Sequence, residues 1–309
     1  MATAPIEQLT VCVIIPMYNA EATIALALQS LAIQTRMPDH VIVVDDGSSD
    51  QGARIVQSLE LPFRLTFLQQ ENQGPSVARN TAIQVSGEHL LAFLDADDYW
   101  LPDKLEKQMA LFSELTAQGR NVGLVDCFEM KFYENGCQVL VDRIKHGWHF
   151  DDFIFRNIIN GTSSVLALRS AIISTQGFDP RIRHAEDRWL WTQLAESHEI
   201  HTVPQVLSHR RIGTGNITEN PEKYYEYKVR FVDIYLAKYS HVLSRQQKID
   251  FILSNHSEFL LAFSKKRSYR KVIEIFEHML AHSWQALVFS KGKPAMRYLN
   301  ARLNLLLRP

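Results

Sequence analysis

The first third of the chain alternates short apolar runs with segments of helical periodicity. The run "VCVII" at 11–15 is typical of a buried strand, whereas Ile24, Leu28 and Leu31 repeat at helical spacing. Short apolar strands that alternate with helices favour a mostly parallel sheet with helices on both faces. We therefore predict an α/β fold, with further strands in "HVIVVDD", "RLTFLQ" and "HLLAFLDADD" and helices from about Asp50, in "PSVARNTAIQVS" and in "LPDKLEKQMALFSEL".

The pattern changes twice along the rest of the chain. After about residue 120, "VGLVDCFEM" and "QVLVDRI" predict strands, "SSVLALRSAII" a strand followed by a helix, and "EDRWLWTQLAE" a helix. From Pro221 the sequence becomes aromatic-rich and helical. We expect an α/β domain over 1–219, with halves at about 10–120 and 121–219, and a C-terminal helical region over 220–309.

Charge is distributed unevenly. The net charge of −1 gives no reason to expect a nucleic-acid partner, yet Lys265–Arg308 carries ten Lys or Arg and two acids, or +8, which leaves −9 for the rest. After Pro294, arginines alternate with leucines, which predicts a basic amphipathic helix. This tail could contact an anionic membrane surface or pack on its own domain.

Composition also indicates a compartment. The three cysteines form no CxxC pair, and their odd number favours a reducing environment. The N-terminus lacks a signal-peptide pattern, and no run of about 18 apolar residues occurs. We expect a cytoplasmic protein that contacts the inner face of the membrane if its tail does so. His184, His198, His201 and His209 show no zinc-ligand spacing.

Polar groups follow three of the predicted strands directly. The first strand ends in "PMYN" (16–19), the second in "DDGSSD" (45–50) and the fourth in "DADD" (95–98). Carboxyl ends of parallel strands meet at one edge of a sheet, where ligands bind. Asp45 and Asp46 could form a turn or accept hydrogen bonds from a base or ribose, and both functions can coexist.

The segment "FLDADD" places three carboxylates within four positions. Such repulsion is unfavourable unless a cation compensates it, and Mg²⁺ or Mn²⁺ binds oxygen ligands of this type. Two carboxylates in Asp-x-Asp leave coordination positions open for a diphosphate. The sequence therefore predicts a Mn²⁺ or Mg²⁺ site at Asp95 and Asp97.

Five segments together resemble the family 2 glycosyltransferases of the GT-A fold. They are "IIPMYNAEATIALALQSLAIQT", "VIVVDDGSSD", "ENQGPSVARNTAI", "LLAFLDADDYWLPDKL" and "GFDPRIRHAEDRWLW", in family order over roughly residues 10–215. The resemblance implies an inverting enzyme that transfers a sugar from a nucleotide-diphosphate donor to a saccharide or lipid-linked acceptor in cell-surface polysaccharide or glycolipid synthesis. It implies UDP as the carrier, while dTDP and GDP sugars stay open.

The resemblance also implies roles for individual residues. A first group borders the nucleotide: Pro16, Tyr18 and Asn19 lie beside base and ribose, Asp46 accepts from the uracil N3–H with Asp45 in support, and Arg79 touches the nucleotide. Asp97 is the expected direct metal ligand, with Asp95 nearer the ribose and Asp98 supporting the loop. Asn80 is expected to be structural.

An inverting transfer requires a base that takes the proton of the attacking hydroxyl. Glu186 and Asp187 open a predicted helix, where acids can simply complement the helix dipole. The family pattern places the base at this pair, and we assign it to Asp187 with Glu186 as the alternative.

A basic cluster follows in "SHRRIGTGN" (208–216). Its glycines indicate a mobile loop, and Arg210 or Arg211 could bind a diphosphate with two hydrogen bonds. The spacing does not decide between the two arginines, and a solvated basic turn is the other interpretation.

Other function classes fit less well. A nucleotidyltransferase would have a glycine-rich basic loop after the first strand, and a P-loop hydrolase would have GxxxxGK[ST]; neither occurs. A non-catalytic binding module would have lost Asp95, Asp97 or Asp187, and all three are present.

Overall fold

The structure is a computed structural model that describes residues 9–213, 220–283 and 293–306. The chain divides into two compact units, Met1–Thr214 and Gly215–Pro309. The strands are β1 Val11–Met17, β2 His40–Asp45, β3 Leu65–Gln69, β4 Leu90–Phe93, β5 Tyr99–Trp100, β6 Val122–Tyr133, β7 Gln138–Val141, β8 His146–Gly147, β9 Leu166–Leu168 and β10 Glu199–Ile212. The helices are α1 Ile24–Ala32, α2 Gly52–Ser58, α3 Pro75–Val85, α4 Lys104–Ala117, α5 Phe150–Phe155, α6 Arg169–Ser174, α7 Glu186–Ala195, α8 Pro221–Tyr239, α9 Arg245–Lys265, α10 Tyr269–His282 and α11 Lys293–Leu306.

One sheet organises the first unit, in the order β3-β2-β1-β4-β9-β6-β10-β5. β1 to β4 pair in parallel, as do β6 and β10, whereas the short β9 is antiparallel to β4 and to β6. The predicted α/β class with a mostly parallel sheet is confirmed. Because β1, β2 and β4 run in the same direction, their carboxyl ends lie at one edge.

Both faces of this sheet are buried, as the apolar runs predict. Val13 and Ile15 pack on one face with residues of α1 and α4, and Cys12 and Ile14 pack on the other with residues of α3 and α7. Alternate residues of one strand therefore enter two separate cores. This explains why the strands are apolar at consecutive positions.

The basic cluster is not the predicted loop. Arg210 and Arg211 belong to β10, where they pair in register with Lys131 and Phe132 of β6. This long strand pairing dominates over the local glycine signal, so both arginines have an ordered backbone. Gly213 is described, and the remaining residues of the glycine-rich stretch lie outside the described residues.

The second unit consists of helices in its described parts. Asn220 caps α8, and Ser244 forms a capping box with Gln247 at the start of α9. The predicted tail helix corresponds to α11, on which Met296, Leu299 and Leu303 are exposed. None of the described helices combines the length and apolarity that crossing a bilayer requires.

His256 of α9 is fully buried in this unit. Its Nδ1 lies 2.8 Å from the carbonyl oxygen of Ile252, so Nδ1 carries the hydrogen and donates. Burial lowers the pKa of His256 to about 4, which keeps the imidazole neutral near neutral pH. Its Nε2 is therefore a hydrogen-bond acceptor.

β6 carries two fully buried acids with different surroundings. Asp126 accepts from Lys145 Nζ over 2.7 Å, from Thr202 and from the backbone of Asn160. Neither carboxyl oxygen of Glu129 has a hydrogen-bond partner among the described residues. Burial raises the pKa of Glu129 from about 4.5 to about 7, against the lowering effects of Arg210 and Lys131.

We expect Glu129→Gln to stabilise the protein relative to wild type more at about pH 8 than at about pH 5. Because the folded pKa exceeds the unfolded one, the contribution of Glu129 to stability is complete below pH 4.5 and is lost as the pH rises to about 7. For one proton, each pH unit in this interval corresponds to about 1.4 kcal/mol.

Chemical denaturation of both proteins at the two pH values measures this difference. Asp126→Asn is the matched control, since it disrupts a buried ion pair and should destabilise at both pH values. An equal effect of Glu129→Gln at both pH values would show that Glu129 does not titrate in this range.

Candidate functional site

The acidic loop after β4 separates its three carboxylates by burial. Asp98 is buried and accepts from Ser163 Oγ over 2.5 Å and from the backbone N–H of Arg211 over 3.0 Å. The N–H of Asp95 donates to the same Ser163 hydroxyl. The Asp95 side chain is 28% exposed and Asp97 is exposed. Asp98 thus supports the loop, while Asp95 and Asp97 stay accessible.

Repulsion within this loop changes the protonation of its acids. The Asp97 side chain reaches solvent, yet the surrounding protein desolvates its carboxylate in part, and this effect with the neighbouring Asp95 raises the pKa of Asp97. Burial, together with Asp95 and Asp97, raises the pKa of Asp98 well above its usual range. Two accessible carboxylates that repel each other form a suitable oxygen donor set for a hard divalent cation. The residues present therefore fit the predicted metal.

Arg79 of α3 links this loop to the start of α7. Its guanidinium is buried, donates from Nη2 to Asp95 Oδ1 over 2.7 Å, and lies 3.4 Å from Glu186 Oε1 through Nη1. Burial disfavours the charged form, but Asp95 and Glu186 raise the pKa of Arg79 overall. Arg79 therefore stays charged between acids from both halves of the unit.

Asn80 fixes the backbone of Phe178, whose ring packs against Arg79. Its amide donates to the Phe178 carbonyl over 2.7 Å and accepts from the Phe178 N–H over 2.9 Å. The guanidinium lies 5.1 Å from the centroid of the Phe178 ring, within cation–π range. Asn80 has the structural role expected of it.

The two acids of α7 have different partners. Glu186 binds Arg79, and burial with the neighbouring Asp187 raises the pKa of Glu186. Asp187 accepts from Asn157 Nδ2 over 2.8 Å through one oxygen and from the Arg188 N–H through the other. The helix follows Ala185, a non-glycine residue at φ 64°, a backbone strain that is common at functional sites.

The loop after β1 is tied to the loop after β2. Asn19 donates its N–H to Ser48 Oγ, and its side-chain oxygen accepts from the Ser49 N–H, both over 2.9 Å. Asn19 therefore orders these loops, whereas Tyr18 is 54% exposed and Pro16 partly buried at the end of β1.

Asp45 and Asp46 are both buried and hydrogen-bonded within the protein. Asp45 accepts from the Ser48 N–H and from Gln69, and Asp46 accepts from Gln70 and from the backbone of Gln73 and Gly74. Gly47 between these loops has φ 78°, and a Cβ there would lie 2.9 Å from the Asn72 nitrogen. The pair thus holds the β3–α3 loop in place, and base recognition by Asp46 stays a prediction.

The structure distinguishes the two arginines of β10. The partly buried Arg210 interacts electrostatically with Glu129, Asp95, Asp98 and Asp187, which raise its pKa against the effect of burial. Arg211 has an exposed side chain and contributes its backbone N–H to Asp98. Both arginines interact electrostatically with Asp97, and Arg210 also interacts with Glu129 and Asp187 of the second half.

Sequence reasoning missed Ser163, Asn157 and Glu129. Ser163 lies in "GTSSV", and its contacts with the acidic loop span 65 to 68 positions. Asn157 is 30 positions from Asp187. Glu129 sits in an apolar strand pattern that gives no signal for a site.

Comparison with known proteins agrees with the motifs. Residues 12–167, just over half of the chain, match the family model "Glycosyl transferase family 2". An uncharacterized glycosyltransferase of Rickettsia felis is 28% identical over 78% of this chain and 40% of that protein. The enzyme "UDP-Glc:alpha-D-GlcNAc-diphosphoundecaprenol beta-1,3-glucosyltransferase WfgD" of Escherichia coli is 28% identical over 69% of this chain and 81% of that protein. The chain spans less than half the length of its Rickettsia relatives.

Among solved structures, residues 1–349 of S. aureus TarS in complex with UDP have a similar fold. The TM-score is 0.68 at 18% sequence identity, over 95% of this chain and 90% of that one. This likeness confirms the expected fold and, at such identity, no more. The family model and the shared motifs decide the assignment: the chain belongs to glycosyl transferase family 2.

Proposed function

We propose that this protein transfers a sugar from a UDP-sugar to an acceptor hydroxyl with inversion at the anomeric carbon. The observation that carries this proposal is Arg79, which binds Asp95 of the acidic loop and lies beside Glu186 at the start of α7. It brings the carboxylates expected to hold a metal close to those expected to supply a base. The name of WfgD specifies a UDP-glucose donor, and TarS has been crystallised with UDP, which supports UDP as the carrier.

In this proposal Asp95 and Asp97 hold Mn²⁺ or Mg²⁺, with Asp97 as the direct ligand. A cation held there would neutralise negative charge on the departing diphosphate. Arg210 of β10 would bind the diphosphate as well, because it lies close enough to Asp95 and Asp98 for these acids to raise its pKa. Pro16, Tyr18, Asn19, Asp45 and Asp46 border the base and ribose.

The donor-binding prediction compares single variants. We expect Asp97→Asn to abolish the Mn²⁺-dependent part of UDP affinity, because it removes a charged oxygen ligand. Arg210→Gln should weaken UDP binding roughly 10–100-fold, the value of a charge-assisted hydrogen bond. Titration calorimetry with UDP, with and without Mn²⁺, measures both effects.

Arg211→Gln is the matched control for Arg210, since its exposed side chain lies one position away. It should bind UDP within about twofold of wild type. An equal loss of UDP affinity in both arginine variants would contradict the assignment of diphosphate binding to Arg210. UDP binding by the wild-type protein that does not depend on Mn²⁺ would contradict the assignment of Asp97 as a metal ligand.

We assign the base to Asp187 because Glu186 is already occupied by Arg79. Asn157 fixes one oxygen of Asp187, which orients the carboxylate without neutralising it. Proton transfer to such a base contributes about 10²–10⁴-fold to the rate. Inversion then follows from one displacement, in which the acceptor attacks opposite the departing diphosphate.

Asp187→Asn should lower turnover by about 10²–10⁴-fold while UDP binding stays close to wild type. Steady-state transfer and UDP titration of the same preparation give the two quantities. Asn157→Ala should lower turnover less, since it removes only the orienting contact. Sugar transfer near the wild-type rate by the Asp187→Asn variant would show that Glu186 or another residue is the base.

The setting we propose is saccharide or lipid-linked acceptor synthesis at the cytoplasmic face of a membrane. The name of WfgD describes a diphosphoundecaprenol-linked acceptor, which is a membrane lipid. On α11, Leu299 and Leu303 are 59% and 56% exposed, within a segment of net charge +8. Exposed leucines among basic residues suit an anionic bilayer surface.

Replacing Leu299 and Leu303 together by Glu should reduce cosedimentation with phosphatidylglycerol vesicles, because it removes apolar contact and adds negative charge. Leu261→Glu is the control, since Leu261 is an exposed leucine on α9. Unchanged sedimentation of the double variant would exclude α11 as the membrane contact.

A further inference from the structure

Three metal-ligand side chains converge on the surface of the second unit. Asp233 of α8 lies opposite His278 and His282, which are one turn apart on α10. The Nε2 atoms of His278 and His282 lie 2.9 Å and 2.7 Å from the same Asp233 oxygen, Oδ1. All three ligand atoms lie within 4.8 Å of one another.

The hydrogen-bond chain behind this cluster fixes the tautomer of His278. The buried His256 donates from Nδ1 to the Ile252 carbonyl, so its Nε2 accepts. That Nε2 lies 2.9 Å from His278 Nδ1, which must therefore carry the hydrogen. In a neutral His278, Nε2 then presents a lone pair toward the Asp233 carboxylate.

Two electron pairs that face each other at 2.9 Å require a cation between them. A proton on His278 is one such cation. A divalent metal is the other, and it would at the same time use Nε2 of His282, which approaches the same oxygen. Neutral imidazole nitrogens and a carboxylate oxygen are ligands that zinc accepts.

We propose that Asp233, His278 and His282 form a Zn²⁺ site with one open coordination position. His256 is the positioning residue of this site. Histidines that bind metal donate their second ring N–H to a fixed acceptor, and His278 donates to His256 in this manner. Their side chains are 51%, 18% and 23% exposed in that order, so an ion can enter from solvent.

The site would connect two helices of the unit. α8 supplies one ligand and α10 supplies two, and the side chains of His278 and His282 extend from successive turns, as in helical His-x₃-His metal sites. A bound ion therefore crosslinks α8 to the end of α10. This proposed Zn²⁺ binding is independent of the proposed sugar transfer.

The test is titration of the full chain, free of any polyhistidine tag, with ZnCl₂ in competition with a chromophoric chelator. We expect one Zn²⁺ per chain and loss of that binding in His282→Gln and in His278→Gln. His256→Gln should keep the stoichiometry and lower the affinity roughly 10–100-fold. Bound Co²⁺ should show visible d–d bands that the His282 variant lacks.

Two variants serve as controls. His241→Gln alters an exposed histidine elsewhere in the unit, and Asp97→Asn alters the proposed donor-metal loop; both should keep the Zn²⁺. Absence of saturable binding at micromolar Zn²⁺ would overturn the proposal and would show that a proton holds the cluster. Binding that persists in both the His278 and the His282 variants would overturn it as well, because the Zn²⁺ would then be bound elsewhere.

Discussion

The geometry of the candidate site depends on the buried guanidinium of Arg79. A buried charge is costly, and this one is tolerated because Asp95 and Glu186 compensate it at different nitrogens of the guanidinium. Loss of either acid would leave the buried guanidinium with one anionic partner in place of two, which should destabilise the fold. The acidic loop and the start of α7 therefore cannot move apart independently. This constraint keeps the proposed metal ligands and the proposed base in register.

Around Arg79, acidic side chains outnumber cationic side chains. Asp95, Asp97, Asp98 and Glu129 lie near one another, and Arg210 interacts electrostatically with all four of them. Desolvation by the surrounding protein is the largest cause of the raised pKa values of Asp97 and Glu129, and the neighbouring Asp95 raises both further. A site with surplus negative charge binds a diphosphate poorly unless a divalent cation accompanies it. In the proposed function, this surplus of negative charge would make a divalent cation necessary for binding of the nucleotide diphosphate.

The local pattern of apolar and polar residues was sufficient to predict the strands and helices and the edge of the sheet at which the motifs meet. Short apolar strands and helical repeats depend on neighbouring residues, and the carboxyl ends of β1, β2 and β4 follow from parallel pairing. Pairings distant in sequence could not be predicted. Pairing with β6 places Arg210 and Arg211 in strand β10, although the glycines that follow them indicated a loop. Asn157 lies beside Asp187 only once the chain is folded. His278 and His282 have a visible spacing, but Asp233 lies 45 positions before His278.

The two proposed metal sites differ in ligand chemistry, and this difference should prevent them from exchanging ions. Asp95 and Asp97 offer oxygen alone, which suits Mg²⁺ or Mn²⁺ together with phosphate oxygens. Asp233, His278 and His282 offer two imidazole nitrogens, which zinc prefers over magnesium. The first site is accessible and repulsive, so it needs its nucleotide to retain an ion. In the second, the buried His256 orients His278, so this ligand is held in place before the ion arrives.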